Sequence, residues 1–157
     1  MKKKHYSALR SSALQITFIS LSAVLLLAAT PATATLCVET PGYWANHPDA
    51  WCGSTVTIGG ATISQADAIA IIQHSTSSDK TYSLAAQVIA AKLNTFCAGA
   101  DSSCVASAIS SADTWLIAHP VGSGVRANSP EWKAITPSYA TLVSYNQGQL
   151  CVPECRS

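Results

Sequence analysis

The chain has 157 residues and a formal net charge of +1, but four of its nine basic residues lie within the first ten positions. The segment Thr35–Ser157 therefore carries five basic and eight acidic residues, a net charge of −3. Without a basic stripe, this balance argues against nucleic acid as a partner. Nothing after residue 34 is long and apolar enough to span a membrane, so no membrane contact is expected there.

The first 34 residues are predicted to be a secretory signal peptide. A basic start (Lys2–Arg10) precedes the apolar run Ile16–Ala29, which is short for a bilayer span, and Ala32–Ala34 supplies small residues for signal peptidase. An uncleaved membrane anchor is the alternative. Residues 35–157 are then expected to form a single secreted or periplasmic domain, large enough to bury its own core.

All six cysteines follow the predicted signal peptide. An even number of cysteines in an exported chain predicts three disulfide bonds. A zinc site is the weaker alternative, because no Cys-x-x-Cys pair is present. The cysteines are Cys37, Cys52, Cys97, Cys104, Cys151 and Cys155.

The spacing of the cysteines favours one of the several pairing schemes that six cysteines allow. Two of them are seven residues apart across a loop rich in Gly, Asp and Ser, which suits a local bridge. Two others lie at the ends of the domain, and a bridge between them would close nearly all of it. The predicted bridges are Cys97–Cys104, Cys37–Cys155 and, with the remaining two, Cys52–Cys151.

The first predicted element is a single helical turn within Tyr43–Trp51. His47 fits its N-cap position and Pro48 its first helical position, where the missing N–H costs nothing. Gly59-Gly60 then lies between two β-branched runs, a pattern that predicts a two-residue β-hairpin. The predicted arms are Thr55–Ile58 and Ala61–Ile63.

Two helices are predicted after the hairpin. The first is Ser64–Gln73, with Ser64 as its N-cap and Asp67 favoured near its positive end. The second is capped by Ser78 or Asp79. Its apolar residues recur at spacings of three and four from Leu84 to Phe96, which predicts one buried helical face.

Two more helices complete the prediction. Val105–Leu116 has the same apolar spacing, and His119-Pro120 ends that helix. Ser129-Pro130 is predicted to begin only a turn, whereas Thr136-Pro137 begins the fourth helix, with Gly148 as its C′ residue. The predicted fold is therefore mainly α, with about four helices and a small β-hairpin, in one disulfide-stabilised domain.

One segment of the chain resembles the opening of a known bacterial module. The segment is Gly42-Tyr43-Trp44-Ala45-Asn46-His47-Pro48-Asp49-Ala50-Trp51. It is similar to the opening Gly-Tyr-Trp-Lys-Asn-His-Pro-Glu-Ala-Trp of an uncharacterised extracellular domain family, found in secreted and surface-anchored bacterial proteins. Further similarity lies in Ile89–Asn94 and in Tyr145-Asn146-x-Gly148, so the resemblance extends over most of residues 37–155.

The resemblance implies an extracellular location and a single fold, but no settled activity. The family often has a cysteine just before the motif and another at the very end, which agrees with a Cys37–Cys155 bridge. Ala45 stands where the family has Lys, so no role of that cation carries over to this chain.

The candidate binding residues all belong to the opening motif. Flat aromatic faces beside polar groups could form a platform for a sugar ring. The alternative is that both tryptophans anchor the core beside a disulfide, because large aromatic side chains dominate core packing. The candidates are Tyr43, Trp44, Asn46, His47, Asp49 and Trp51.

Histidine and carboxylate side chains are the other candidates for chemistry. His47, Asp49, His74 and His119 could form a metal site or an acid–base pair. However, no two histidines are four residues apart on one helical face, and each has a local role at the end of a helix or turn. No metal ligand, catalytic residue or cofactor is therefore predicted.

The leading hypothesis is a non-enzymatic extracellular module for binding or assembly, with a glycan, the cell wall or a protein as its partner. Its low charge and its aromatic motif motivate this hypothesis. Two alternatives stay open: a small secreted hydrolase using His47 and Asp49, and a purely structural surface protein.

Overall fold

The computed structural model describes residues 36–75 and 78–155; the predicted signal peptide lies outside them. The described residues form a mainly helical domain with a β-hairpin and three disulfides, as predicted. No helix in this part of the chain has the length and apolar character needed to cross a membrane. The elements are α1 (Pro41–Asn46), a 3-10 turn (Pro48–Ala50), β1 (Thr55–Ile58), β2 (Ala61–Ser64), α2 (Gln65–Gln73), α3 (Lys80–Phe96), α4 (Ala106–Ala118) and α5 (Pro130–Asn146).

Helix α3 lies at the centre of the fold. It packs against α1, α2, α4, α5 and β1. Leu84, Val88 and Ile89 are fully buried, and so is Ala90 on another side of the helix. A helix that is apolar nearly all round has to be surrounded by other elements. The small alanines of α3 let these neighbours approach closely.

The helices begin where capping residues satisfy their first N–H groups. Ser64 accepts from Asp67 N, as predicted, and Asp79, one of the two predicted candidates, accepts from Thr81 N. Helix α1 was not predicted. Thr40 caps it by accepting from Tyr43 N at 3.2 Å, and Pro41 occupies its first turn. The helical turn predicted with His47 at its N-cap and Pro48 as its first residue is the 3-10 turn Pro48–Ala50, so α1 is an additional helix before it.

The predicted hairpin is confirmed. Gly59 and Gly60 have φ angles of 52° and 76°, a left-handed conformation that favours glycine. The pair Ile58↔Ala61 closes the turn, and Ile58 is buried. Gly59 is also required for packing, because a β-carbon there would lie 2.8 Å from Leu116 Cβ of α4.

Helix α5 is longer than predicted. The sequence pattern placed a turn at Ser129-Pro130 and a separate helix after Thr136-Pro137, but the structure has one helix, Pro130–Asn146, with Pro137 inside it. Pro137 removes one helical hydrogen bond on the exposed side. The cost is offset because Trp132 and Ile135 before it, and Leu142 after it, are all buried.

The disulfide pairing was predicted correctly for one bridge and wrongly for two. Cys37–Cys155 closes the domain across 118 residues, as expected. The other two bridges are Cys52–Cys97 and Cys104–Cys151, so the predicted Cys97–Cys104 and Cys52–Cys151 pairs are wrong. The reason is tertiary: the end of α3 meets the segment before β1, and the start of α4 meets the segment after α5.

Candidate functional site

The two tryptophans of the segment Gly42–Trp51, which we call the aromatic motif, belong to the core. Trp44 is 2% exposed and Trp51 is 9% exposed. Trp51 Nε1 donates to the carbonyl oxygen of Trp44 at 2.9 Å, and Trp44 Nε1 donates to Asn94 Oδ1 at 3.1 Å. Their rings meet edge to face, with centroids 6.5 Å apart. Their faces are therefore not available as a platform for a sugar ring.

A buried polar network links the aromatic motif to α3 and α5. Asn94 of α3 accepts from Glu39 N at 2.8 Å, and its Nδ2 donates to Asn146 Oδ1 at 3.0 Å. Asn146 of α5 in turn donates to Gln87 Oε1 at 2.8 Å. Asn94 and Asn146 are fully buried. Because such groups are costly when unpaired, this network ties α1, α3 and α5 together.

The polar residues of the motif contact one another locally at the surface. Asn46 Nδ2 donates to the carbonyl oxygen of Gly42 at 2.8 Å. His47 Nδ1 lies 3.0 Å from the carbonyl oxygen of Tyr43, and the two rings stack with centroids 4.2 Å apart. Asp49 is exposed on the 3-10 turn. These contacts give His47 a structural role at the end of α1.

The other histidines lie at the ends of two different helices. His74 follows α2 and its ring centroid is 4.7 Å from that of Tyr82, whereas His119 follows α4 and lies 4.4 Å from Trp115. Within residues 36–75 and 78–155, no three His, Cys, Asp or Glu side chains are close enough together to hold a metal ion. The histidines that the sequence offered as a metal site or acid–base pair therefore lie at the ends of different helices.

One carboxyl group beside the polar network has a shifted pKa. Burial raises the pKa of Glu39, the charge of Glu154 raises it further, and His47 opposes the shift. Glu39 and Glu154 approach because Val38 forms a parallel bridge with Glu154 next to the Cys37–Cys155 disulfide. The two ends of the domain are thus joined, and the charge of Glu154 acts on Glu39 there.

The described surface has a groove between α3 and α4. It encloses about 460 Å³, and we call it the α3–α4 groove. Phe96, at the end of α3, is 80% exposed, and Ile117, at the end of α4, is 63% exposed. Both line the groove. Its lining residues are Lys92, Thr95, Phe96, Ser102, Ala106, Ile109, Ser110, Asp113, Thr114 and Ile117.

An ion pair holds the two walls of the groove together. Lys92 Nζ of α3 lies 2.5 Å from Asp113 Oδ2 of α4 and donates to the carbonyl oxygen of Thr57 at 2.6 Å. Asp113 Oδ1 accepts from Gly59 N at 2.9 Å. Each charged group therefore has two partners, and the pair joins α3, α4 and the hairpin.

Phe96 was predicted to lie in the buried stripe of α3, and this prediction was wrong. The side chain lies in the last turn of the helix, beyond the neighbours that cover Leu93. The Cys52–Cys97 disulfide fixes the backbone beside it. Phe96 also lines a second, smaller cleft of about 200 Å³ between α3 and β1. Phe96 thus borders two hollows.

Comparison with known proteins adds no functional assignment. No protein-family model, no curated protein and no solved structure matches this chain. The candidate site therefore depends on the geometry of the α3–α4 groove.

Proposed function

We propose that this protein is an exported, non-enzymatic binding or assembly module that contacts a protein partner through the α3–α4 groove. The observation that carries the proposal is that Phe96 and Ile117, two large apolar side chains with high exposure, line the same groove. Exposed apolar residues scattered singly are ordinary, whereas clustered ones mark interaction surfaces.

The disulfides support the exported location in this proposal. Three disulfides and no free cysteine among the described residues are typical of an oxidising compartment. Together with the predicted signal peptide, they favour secretion or the periplasm. Membership of the extracellular domain family with the Gly-Tyr-Trp opening is part of the same proposal.

A protein is favoured over a glycan as the partner. Glycan binding was expected to use the faces of Tyr43, Trp44 and Trp51, and both tryptophans are buried. Phe96 is the one aromatic side chain among the groove's lining residues, and its apolar neighbours Ile109 and Ile117 are aliphatic and cannot stack flat on a sugar ring. Apolar side chains around a hollow are instead typical of the anchor sites of protein interfaces.

The geometry gives a hydrolase less support than a binding module. A catalytic His47 would need Asp49 and a third polar group around one concave pocket. The contacts of His47 are instead with the ring and carbonyl oxygen of Tyr43, in an exposed turn. A purely structural role leaves the exposure of Phe96 without a reason.

The proposal can be tested with an apolar dye, 1-anilinonaphthalene-8-sulfonate, added to the folded protein purified from an oxidising compartment. We expect saturable fluorescence enhancement from the wild type and its loss in Phe96→Ser. The matched control is Leu150→Ser, which changes a residue that is 43% exposed and does not line the groove. Equal dye binding by all three proteins, or none by the wild type, would refute the groove as a binding surface.

A further inference from the structure

We infer that the Cys104–Cys151 disulfide is a thiol–disulfide exchange site, where a dithiol reductant opens this one bridge while the domain stays folded. The exchange does not require the partner proposed for the α3–α4 groove. Three features carry the inference: the exposure of both cysteines, the shielding of the other two bridges, and the backbone contacts that hold both cysteine segments in place without this bond.

Both cysteines of this bridge are accessible from solution. Among the three bridges of the described residues, Cys104–Cys151 is the one whose two cysteines are both exposed. Cys104 lies in the turn before α4, and Cys151 lies in the loop after α5, so neither belongs to a helix or a strand. A thiolate has to reach a sulfur atom in order to exchange with it, so access is one of the quantities that set which bridge reacts first.

The other two bridges are shielded by the fold. Cys37 and Cys155 are both partly buried, and Val38 beside them is fully buried. In the bridge Cys52–Cys97, Cys97 is partly buried and packs against the hydrophobic core. We therefore expect these two bridges to react later than the exposed one.

The segment that contains Cys151 is fixed on both sides without this bridge. Before the cysteine, Gly148 N donates to a carbonyl oxygen of α5 at 2.9 Å. After it, the carbonyl oxygen of Pro153 accepts from Val38 N at 2.9 Å, next to the disulfide that closes the domain. Opening the exposed bridge therefore loosens the stretch Leu150–Val152 between these contacts and leaves the rest of the fold in place.

The segment around Cys104 is also held by the fold. Val105, the next residue, is fully buried, and Ala106 N donates to the carbonyl oxygen of Ser102 at 2.8 Å. Both cysteines therefore stay near each other after the bond opens. The reaction is then reversible, because oxidation pairs the same two thiols again.

The exchange is a two-electron reaction with a dithiol. A thiolate of the reductant attacks one sulfur atom of the bridge, the bond between the two protein sulfurs breaks, and the other cysteine leaves. The second sulfur of the reductant then attacks the mixed disulfide and releases the first cysteine. Each protein sulfur takes up one of the two protons that the dithiol gives up. The products are two protein thiols and the disulfide form of the reductant.

Graded reduction of the exported, folded protein with dithiothreitol, without denaturant, tests the site. Free thiols are trapped with N-ethylmaleimide, and the labelled cysteines are identified by peptide mass spectrometry. We expect Cys104 and Cys151 to be labelled at least about tenfold faster than the other cysteines. The trapped species should keep the circular dichroism of the native protein, with faster amide hydrogen exchange in Leu150–Val152.

Two double variants provide the comparison. Cys104→Ser with Cys151→Ser should fold with two bridges and show no rapidly labelled pair. Cys52→Ser with Cys97→Ser is the matched control and should keep the rapid labelling. The labelling order of the wild type decides the question even where a variant does not fold. Earlier labelling of any other cysteine, simultaneous labelling of all six, or loss of the native circular dichroism in the trapped species would overturn the inference.

Discussion

Trp44 Nε1 donates a hydrogen bond to Asn94 Oδ1 across 50 residues of sequence, and both side chains are buried. The contact joins the aromatic motif to the central helix α3. The motif therefore has a structural role, because its two tryptophans and the amide network beside them hold the fold together. The exposed apolar side chains lie elsewhere, at Phe96 and Ile117.

Replacing Asn94 should damage the fold severely. Asn94→Leu leaves Trp44 Nε1, Glu39 N and Asn146 Oδ1 without their present partner in the core. Each unsatisfied buried group costs about 1–3 kcal/mol, so we expect a loss of about 3–5 kcal/mol in the free energy of unfolding, measured by urea denaturation.

The neighbouring residue provides the control for that experiment. Thr95 is partly exposed, and its hydroxyl donates only to the carbonyl oxygen of Lys92 within the helix. Thr95→Ala should cost less than about 1 kcal/mol. If the two variants lost the same stability, the network would not have the role assigned to it.

Gly148 should be far less tolerant of alanine than Gly124, although both have positive φ angles, 67° and 83°. A β-carbon on Gly148 would overlap the backbone of Glu154, whereas nothing lies within 4 Å of that position at Gly124. Gly124→Ala should cost about 1–2 kcal/mol from backbone conformation alone. Gly148→Ala should cost clearly more, and thermal melts of the pair that coincide would contradict this packing.

The hydroxyl of Tyr145 should be dispensable at neutral pH. Tyr145 is buried, and within the described residues its hydroxyl has no hydrogen-bond partner. Because an unsatisfied buried hydroxyl is unfavourable, Tyr145→Phe should leave stability unchanged or raise it by about 1 kcal/mol. A loss of more than about 1 kcal/mol would reveal a partner for this hydroxyl.

The same hydroxyl should make stability depend on alkaline pH. Burial, with a further contribution from the charge of Asp101, raises the pKa of Tyr145 to about 12, above its value of about 10 in the unfolded chain. The folded state therefore favours the neutral hydroxyl, and this stability is complete below about pH 10 and lost as the pH rises toward 12. Urea denaturation across that window should show a smaller decline for Tyr145→Phe than for Tyr139→Phe.

Ionisation of the Glu39 carboxyl should lower the stability of the folded state. Its raised pKa means that the folded state favours the protonated carboxyl, so its contribution is complete below the unfolded pKa and is lost as the pH rises through the folded value. Glu154→Gln removes the neighbouring charge and should bring the pKa of Glu39 closer to its ordinary value. An NMR titration of the Glu39 carboxyl measures this, and an unchanged pKa in Glu154→Gln would show that the two groups do not interact.

Local chemistry explains why much of the fold could be predicted. The hairpin needs only Gly59-Gly60 between β-branched runs, and the caps Ser64 and Asp79 act within one helical turn. Gly148 was recognised because a positive φ after a helix favours glycine. The buried face of α3 follows from spacing alone, since periodicity determines which side chains share a face.

Tertiary contacts explain what the sequence did not reveal. Cys52 pairs with Cys97 because the end of α3 lies beside the segment that contains Cys52. The spacing of the cysteines in the sequence does not predict that contact. Pro137 stays inside α5 because buried residues on both sides hold the helix. Phe96 continues the periodic stripe, but periodicity does not reveal where the covering helices end. The candidate groove was therefore missed for the same reason.

The most direct test of the α3–α4 groove as a binding surface is an NMR titration of the 15N-labelled protein with 1-anilinonaphthalene-8-sulfonate, followed at every assigned amide. We expect shifts concentrated along the α3–α4 groove, at Thr95, Phe96, Ser110, Thr114 and Ile117, with little change in the aromatic motif. Shifts centred on Tyr43–Trp51 would contradict it and return the binding surface to the motif.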